Sequence, residues 1–223
     1  MLNDRISEVG VLDKAVVLLD ALGVSPTSVS LGQLAASTGI HRATAHRLLT
    51  SLHIHGLVRV DEQSRWSLGT RLVALGARAS LGLPLQDVAG HSLALLRDET
   101  EESVQLYVRH GDSRVCVASL ESTHGLRTIV ALGETLPLSK GSAGAVLLDL
   151  DGVREMGWAE SVGERQAGVA SVSAPIFDRS GRVRAAVSVS GPIERTSKQP
   201  GRKYADSVMA SARAIERSAG WRD

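Results

Sequence analysis

The stretch HRATAHRLLTSLHIHG, residues 41–56, places its apolar side chains at helical spacing on one side only. At about 100° per residue, a single stripe is formed by Ala45, Leu48, Leu49 and Leu52. Gly56 favours the end of such a helix, because glycine readily adopts the left-handed conformation that terminates helices. The sequence therefore predicts a helix over residues 42–54 that packs this stripe against other elements.

The residues before this helix predict two further helices. Residues 9–22 carry apolar side chains at helical spacing, with charged groups on the opposite side. A second helix is predicted over residues 31–37, because Ser30 is followed three residues later by Gln33, the spacing of a capping box. Thr38 and Gly39 predict a tight turn before the third helix.

A short hairpin is predicted after the third helix. Residues 57–60 and 65–68 are alternating runs that flank the turn-forming sequence DEQS. Three helices followed by a small hairpin are the outline of a winged helix-turn-helix, which we assign to residues 1–69.

The polar side of the predicted third helix has two possible interpretations. It is either an ordinary solvated face or a surface that reads DNA. Its side chains are short and hydrogen-bonding rather than rich in Glu and Lys, and Ala43 would permit close approach to a thymine methyl group. We favour DNA binding; the candidate contacts on this helix and the hairpin are Arg42, Ala43, Thr44, His46, Arg47, Thr50, Arg59 and Arg65.

The charge balance limits how this DNA binding works. The net charge is +1 at pH 7, and the first 70 residues carry as many acidic as basic groups. Since neutralisation of phosphates supplies most non-specific affinity, one protomer with two or three usable arginines would bind weakly. We therefore expect at least a homodimer on a two-fold, pseudo-palindromic operator.

The rest of the chain predicts a linker and a second domain. Residues 70–83 are assigned to a linker helix and residues 84–223 to an α+β domain, an antiparallel sheet with flanking helices. Alternating runs predict hairpins around residues 110–112 and 179–181, and LRTIVAL, residues 126–132, predicts a further strand.

Serines recur at every second position in the two late predicted strands. Ser171 and Ser173 share one face of their strand, as do Ser188 and Ser190. This face is either an ordinary solvent-facing surface or a cup for a small polar ligand, and the pattern alone leaves both open.

Other classes of function find little support in the residues. GSAG, residues 141–144, lacks the spacing of a nucleophile elbow, and no histidine follows His124, so we expect no enzyme. No His, Cys or carboxylate spacing suggests a metal or a cofactor. Cys116 lies between two valines, which favours a buried thiol over a redox sensor. One cysteine, an N-terminus unlike a signal peptide and no long apolar run predict a cytoplasmic protein outside membranes.

Several phrases resemble one known family. GVLDKAVVLLDAL, LGQLAASTGIHRATAHRLLTSLHIHGLV and RWSLGTRLVALG are similar to the DNA-binding end of isocitrate-lyase-regulator (IclR) proteins. GLRTIVALGETLPL, GWAESVGERQAGVASVSAPIFD and AAVSVSGPIER resemble the effector domain of the same family. TAHRL, SVSAP and AAVSVSGPIER are most similar to its actinobacterial branch, associated with control of leucine and other amino-acid biosynthesis genes.

The resemblance implies a winged helix-turn-helix, a linker helix and a GAF/PAS-like effector domain. It also implies dimers or dimers of dimers and a small organic-acid or amino-acid-like effector. Carried over by position, the effector-binding residues would be Leu126, Leu136, Ser142, Ala143, Ser171, Ser173, Ser188 and Ser190.

Two departures from the family lie beside this expected pocket. The connection 149–156 is shorter than the family's by roughly twenty residues, which is either a natural trimming or a loss of residues from the chain. Ala145 stands where the family usually has lysine. The sequence thus predicts a DNA-binding metabolic regulator; the alternative is a metabolite-binding or enzymatic protein whose N-terminal domain serves only self-association.

Overall fold

The computed structural model describes residues 10–81 and 84–222. The chain divides into two compact units, with the boundary between residues 82 and 83. Among the described residues, no helix has both the length and the apolar character needed to cross a membrane.

The first unit is a helical cluster with a small antiparallel sheet. Its helices are α1 (Gly10–Gly23), α2 (Leu31–Thr38), α3 (Arg42–Ile54) and α4 (Thr70–Leu81). Its strands are β1 (Val29–Ser30), β2 (Val58–Val60) and β3 (Arg65–Leu68), in the order β1-β3-β2. The predicted helix 42–54 and the predicted hairpin are confirmed, whereas the two-residue strand β1 was not predicted.

The entry into α2 is a capping box, as the sequence predicted. The Ser30 hydroxyl accepts a hydrogen bond from the Gln33 backbone N–H, and the Gln33 side chain accepts one from the Ser30 backbone N–H. At the other end, Gly39 has a φ of 70°, the left-handed conformation that allows the sharp turn into α3. These two local signals set the helix-turn-helix geometry.

Replacing Ser30 with alanine is expected to lower the free energy of unfolding of the first unit by about 1 kcal/mol, because a helix N-terminal donor loses its acceptor. Ser37→Ala is the matched control, since Ser37 is exposed within α2 and its hydroxyl only donates to the Leu34 carbonyl. Urea unfolding measures both variants. Equal stability of the two variants would contradict the capping role.

One apolar core joins the elements of the first unit. The stripe of α3 meets side chains from α1, α2 and the hairpin, among which Leu18, Leu34 and Val58 are almost fully buried. Trp66 of β3 closes the same cluster. The stripe is therefore consumed by packing, and only the opposite side of α3 faces solvent.

The second unit is a six-stranded antiparallel sheet with helices on both faces. Its strands are β4 (Ser103–His110), β5 (Ser113–Leu120), β6 (Thr135–Pro137), β7 (Ala159–Val162), β8 (Val169–Phe177) and β9 (Val183–Pro192), in the order β6-β5-β4-β9-β8-β7. Its helices are α5 (Pro84–Thr100), α6 (Ser142–Leu147), α7 (Asp151–Met156), α8 (Ile193–Thr196) and α9 (Pro200–Ser218).

The two faces of this sheet have different compositions. Toward α5 and α9 the strands present aliphatic side chains, including Leu106, Val172 and Val189, which form the main core. The other face is packed by α6 and α7 and is apolar around Tyr107, Cys116 and Val146 but polar where the serines lie. Because successive side chains of β8 and β9 point to opposite faces, their valines enter the main core and their serines lie on the other face.

The predicted strand over residues 126–132 is wrong. This segment runs as an irregular connection, and the position beside β5 is taken by β6, which pairs with residues Ser113–Val115. A turn causes the difference: Gly133 has a φ of 82°, and the Glu134 carboxylate accepts a hydrogen bond from the Ala131 N–H at 2.9 Å. The alternation of apolar residues was a misleading signal because Leu126, Ile129 and Leu132 are exposed.

Candidate functional site

The solvent side of α3 carries most of the predicted DNA contacts. Arg42, Ala43, His46, Arg47 and Thr50 are exposed, and Thr44 is partly buried. The stripe on the other side is buried. The helix therefore has one packing face and one polar face, and the polar face is free to meet a partner.

The start of α3 contains a residue that the sequence reasoning missed. His41 is the N-cap, and its Nδ1 accepts a hydrogen bond from the Ala43 N–H at 3.4 Å. Its place directly before an arginine at a helix N-terminus was the available signal, because such ends favour phosphate groups. At the other end of the face, the Thr50 hydroxyl donates to the His46 carbonyl at 2.9 Å.

The two hairpin arginines differ in their surroundings. Arg59 is exposed and donates from Nε to the Ser67 hydroxyl at 2.9 Å. Arg65 is partly buried and donates from Nε and Nη2 to the Ser28 carbonyl at 3.0 and 2.6 Å. Arg65 thus contributes to the structure of the hairpin, whereas Arg59 has more freedom to reach outward.

A hydrogen-bonded serine network connects α6 with the late strands. Ser173 is paired with Ser188, and Ser171 with Ser190, across neighbouring strands. The Ser142 hydroxyl lies 2.7 Å from the hydroxyls of both Ser171 and Ser173, and Ser173 donates to Ser188 at 2.9 Å. The predicted cup of serines therefore exists as a geometric arrangement that α6 covers.

A small cavity opens beside this network. Its volume is about 20 Å³, and at least one water molecule fits into such a space. The lining residues are Gln105, Tyr107, Arg114, Gly141, Ser142, Ala143, Ser161, Arg165, Val169, Ser171, Ser188 and Ser190. Ser173 lies beneath the lining and is fully buried.

Leu126 and Leu136 were expected to line the pocket, but the structure does not bring them to this cavity. Leu126 is 70% exposed on the connection after β5, and Leu136 packs against the apolar cluster below α6. The expectation depended on position in the family, and the turn at Gly133 directs this segment away from the serines.

Arg114 is the least expected member of the lining. It is 2% exposed, and its Nη1 donates to the carbonyls of Lys140, at 2.7 Å, and of Pro137. Its guanidinium lies 5.3 Å from the centre of the Tyr107 ring. Burial lowers the pKa of Arg114 from its ordinary value, although Tyr107 opposes this shift, and nearby Arg165 adds a smaller lowering; the group stays charged. The signal in the sequence was a charged residue two positions before a predicted buried cysteine on one strand.

Gln105 lies at the centre of the polar face of the sheet. It is 1% exposed and is paired with Ser188 of the neighbouring strand β9, and its Oε1 accepts a hydrogen bond from Ser190 at 2.9 Å. Its Nε2 has no partner among the described residues. The sequence offered no signal for this residue beyond its position in an alternating run.

Cys116 is buried, as predicted, and burial raises the pKa of its thiol to about 12. At pH 8 the thiol is therefore neutral, and reagents that modify thiolates are expected not to react with Cys116 in the folded protein. We expect labelling by a disulfide reagent only after addition of denaturant. Rapid stoichiometric labelling of the native protein would contradict this prediction.

Metal binding has no visible basis in the parts of the chain described. No group of three or more His, Cys, Asp or Glu side chains comes together there in an arrangement that holds an ion. The chemistry available in the two regions is hydrogen bonding and charge, on the α3 face and in the serine-lined cavity.

Family models of known proteins match both the part of the chain that contains α3 and the part that contains the serine-lined cavity. The model of the IclR helix-turn-helix domain matches residues 11–62, and the model of the C-terminal domain of bacterial IclR transcriptional regulators matches residues 78–151 and 145–217. The chain belongs to the IclR family. It is therefore a DNA-binding transcriptional regulator of the IclR type with an effector-binding domain.

Relatives extend over nearly the whole chain. The KdgR regulator of Escherichia coli K12 is 27% identical over 92% of this chain and 91% of its own length. The IclR repressor of the same strain is 25% identical over 92% and 88%. These IclR-family relatives are transcriptional regulators, not enzymes.

Solved IclR structures share the fold. An IclR regulator from Alicyclobacillus acidocaldarius has a TM-score of 0.84 at 23% identity, covering 96% of this chain and 100% of its own. An IclR homologue from Microbacterium hydrocarbonoxydans, solved with 4-hydroxybenzoate, has a TM-score of 0.76 at 20% identity, covering 93% and 98%. The α+β fold predicted from the sequence is confirmed.

The alignment to KdgR has 240 positions, more than the 223 residues of this chain, so gaps are needed to align them. The two matches to the C-terminal model overlap at residues 145–151, which run from the end of α6 to the first residue of α7. The shorter connection expected at residues 149–156 stays a prediction.

Proposed function

We propose that this regulator binds operator DNA with α3 in the major groove and responds to a small metabolite in the serine-lined cavity. The single observation that carries the DNA-reading part is the division of α3 into a buried apolar face and an exposed polar face. A major groove admits one α-helix, and its base edges are read by side chains of this kind.

Within α3, the residues proposed to contact DNA differ in role. Arg47 is the first choice for guanine, because an arginine can bond both acceptors of that base edge. Arg42 lies in the first turn, where phosphate contact is favoured. The remaining proposed contacts are Ala43, Thr44, His46 and Thr50 on the helix and Arg59 and Arg65 on the hairpin.

The proposal includes a homodimer or a dimer of dimers on a pseudo-palindromic operator. Few arginines serve each protomer, so affinity must come from two copies acting together. Exposed apolar side chains on α1 and α4 support association, among them Val11, Leu12 and Val73, which are 51%, 59% and 72% exposed. Two-fold symmetry predicts half-sites separated by about 10 base pairs or a multiple of that distance.

The proposed effector is a small organic acid or an amino-acid-like molecule. The hydroxyls of Ser142, Ser171 and Ser188 offer donors and acceptors around the cavity. Ser173 is bonded to Ser142 and Ser188 beneath the lining, and Ala143 and Ser190 complete the proposed set as lining residues. The relative solved with 4-hydroxybenzoate supports a carboxylic acid as one possible class. Binding would change the population of DNA-competent states only if the two states bind the effector with different affinities.

The regulator is proposed to act in the cytoplasm and to control metabolic genes. Genes of amino-acid biosynthesis, for example of leucine, are the first class of target to test. The similarity of TAHRL and AAVSVSGPIER to the actinobacterial branch supports this choice. The alternative is a regulator of the same type that controls other metabolic genes, and mapping of its binding sites would reveal this.

Footprinting of the full chain on the DNA upstream of its own gene and its neighbours tests the proposal. We expect two protected half-sites, and an affinity that falls steeply between low and moderate salt. A chain that protects no duplex even at low salt would overturn DNA reading and favour self-association as the role of the first unit. A single unrepeated half-site would overturn the dimer.

A further inference from the structure

Positive charge is concentrated at one end of the second unit. Residues 178–184 contain the turn between β8 and β9, and residues 216–222 form the end of α9 and the segment after it. Together they carry five arginines and two carboxylates, whereas the whole chain has a net charge of only +1. We call the five arginines, which are all exposed, the arginine patch: Arg179, Arg182, Arg184, Arg217 and Arg222.

Hydrogen bonds hold the two segments of the patch together. The Phe177 N–H donates to Glu216 Oε1 at 2.8 Å, and Arg179 Nε donates to the Gly220 carbonyl at 2.6 Å. These bonds bring the last turn of α9 and the residues after it against the turn between β8 and β9. Arg213, one helical turn earlier on α9, lies outside the patch. The arginines of two distant parts of the chain therefore form one surface.

Two of the five arginines have acidic partners. Arg222 Nη1 lies 3.2 Å from Oε2 of Glu216, which is 3% exposed. Arg184 Nε lies 3.8 Å from Oδ2 of Asp178, near the upper limit for an ion pair. Oδ1 of Asp178 already accepts three hydrogen bonds from the turn. Both carboxylates of this region are thus occupied and cannot neutralise the remaining arginines.

The other three arginines keep an exposed positive charge. Arg179 donates to the Gly220 carbonyl, which carries no charge. The guanidinium groups of Arg182 and Arg217 make no hydrogen bond and no ion pair within the part of the chain that the structure describes. A guanidinium group is planar, and its N–H groups match the oxygens of a phosphate. The patch therefore offers both charge and hydrogen-bond donors to an anionic partner.

The composition of this surface favours DNA over a protein as the partner. Protein–protein interfaces usually have an apolar core and a polar rim. Among the described residues, none of the large apolar side chains that are exposed lies between residues 178 and 222. Guanidinium groups without exposed apolar neighbours suit the phosphates of a duplex, which are bound by charge and hydrogen bonds.

The patch lies at the end of the second unit where α5 begins. The Ser207 hydroxyl donates to the Glu99 carboxylate at 2.6 Å, and the Ser211 hydroxyl donates to the Ser92 carbonyl at 3.4 Å. Progress along α9 thus runs backwards along α5, so the two helices are antiparallel. The end of α9, with the patch, is therefore at the same end of this unit as the start of α5, where the chain enters it.

We propose that the arginine patch is a second DNA-binding surface, which contacts the phosphates of a duplex and does not read bases. This inference goes beyond the proposed function, which places DNA contacts on α3 and the hairpin of the first unit. The first 70 residues carry as many acidic as basic side chains, and phosphate neutralisation supplies most non-specific affinity. The patch adds the phosphate contacts that the first unit lacks, and it acts together with the pairing of two protomers.

Titration of the full chain with duplex DNA at several salt concentrations tests the proposal. The duplexes are the footprinted operator and a random sequence of the same length. The variant Arg182→Gln/Arg217→Gln removes the two arginines without described partners. We expect the Kd for both duplexes to rise by about 10- to 100-fold at low salt. The slope of log K against log salt should become shallower by about 2 per protomer, because each lost phosphate contact removes about 0.9.

Lys198→Gln/Arg202→Gln is the matched control variant. Both residues are exposed in the same unit, and Arg202 lies about 22 Å from Arg217 along the axis of α9. This variant loses the same charge, and it should keep the wild-type Kd and salt slope. An equal loss of affinity in the two double variants would reduce the effect to net charge and refute the patch.

Replacement by lysine separates the loss of contact from a loss of folding. Arg182→Lys/Arg217→Lys keeps both charges, so it should keep the salt slope and most of the affinity. Thermal unfolding should give the wild-type Tm for every variant, because these side chains are exposed and without described partners. A lysine variant that binds as weakly as the glutamine variant would contradict phosphate contact.

Base preference distinguishes the patch from α3. The glutamine variant should keep the wild-type ratio of affinities for operator and random duplex, because phosphate contacts are common to both. A changed ratio would show base reading and overturn the proposal. A wild type that binds no duplex rejects the patch together with DNA reading, whereas wild-type binding with an unchanged Kd in the glutamine variant rejects the patch alone.

An acidic polypeptide is the rival partner for this surface. Polyglutamate is added to the wild type and to Arg182→Gln/Arg217→Gln in the absence of DNA. Polyglutamate binding that the glutamine variant loses, together with unchanged duplex binding, would assign the patch to an acidic protein and reject DNA. Loss of duplex binding in the glutamine variant with no polyglutamate binding by the wild type supports the proposal.

Discussion

Replacing Arg47 with alanine is expected to weaken operator binding by roughly 30-fold or more in the proposed dimer. One bidentate contact to a guanine contributes about 1–3 kcal/mol, and a dimer loses two such contacts at once. Arg47 is exposed on the polar side of α3, so its removal leaves the core of the first unit intact. The measurement is a titration of the footprinted operator and of a variant operator with the contacted base changed.

Two control variants separate the loss of a base contact by Arg47 from the general effect of removing a positive charge. Arg213→Ala removes an exposed arginine from α9 in the other unit and should leave operator affinity unchanged. Arg59→Ala removes a hairpin arginine and should weaken binding to all sequences alike, with a shallower salt dependence. If Arg47→Ala retained both affinity and base preference, its assigned role would be wrong.

The largest expected loss of stability is for Arg195→Ala. Glu102 is 1% exposed directly before β4, and Arg195 of α8 holds both of its carboxylate oxygens. Removing the arginine leaves a buried negative charge without its partner, which costs about 3–5 kcal/mol in comparable buried pairs. Chemical denaturation of the variant, followed through the second unit, measures the change.

The matched variant for this pair is Glu102→Gln combined with Arg195→Ala. It removes the stranded charge and should recover a large part of the lost stability, because an uncharged amide is less costly to bury. Glu194→Gln is a surface control on the same helix. Equal stability of the single and double variants would show that Arg195 contributes by packing and not by charge.

The first unit could be predicted from the sequence because its signals are local. The apolar stripe of α3, the Ser30 and Gln33 capping box and the turn at Gly39 each involve residues a few positions apart. Interactions between residues so close in the sequence depend little on the rest of the chain. The hairpin followed from alternation for the same reason, and its extra strand β1 escaped because two residues give no periodicity.

The cavity was only half predictable, because it depends on residues distant in the chain. The serine pairs followed from alternation, and Ser142 from the family resemblance. Gln105 and Arg114 were missed, since nothing local shows that β4, about eighty residues earlier in the chain, lies beside β9 with β5 on its other side. The wrong strand at residues 126–132 has a related cause: apolar alternation indicates a strand but does not tell whether a partner edge is free.

The two faces of the late strands have a consequence for how such regulators diversify. Serines face the cavity, whereas the intervening Val172, Val187 and Val189 face the main core. Because successive side chains point to opposite faces, substitutions on one face leave the other unchanged. Evolution can therefore exchange short polar side chains and acquire a new signal molecule while the fold keeps its stability, and laboratory selection can follow the same route.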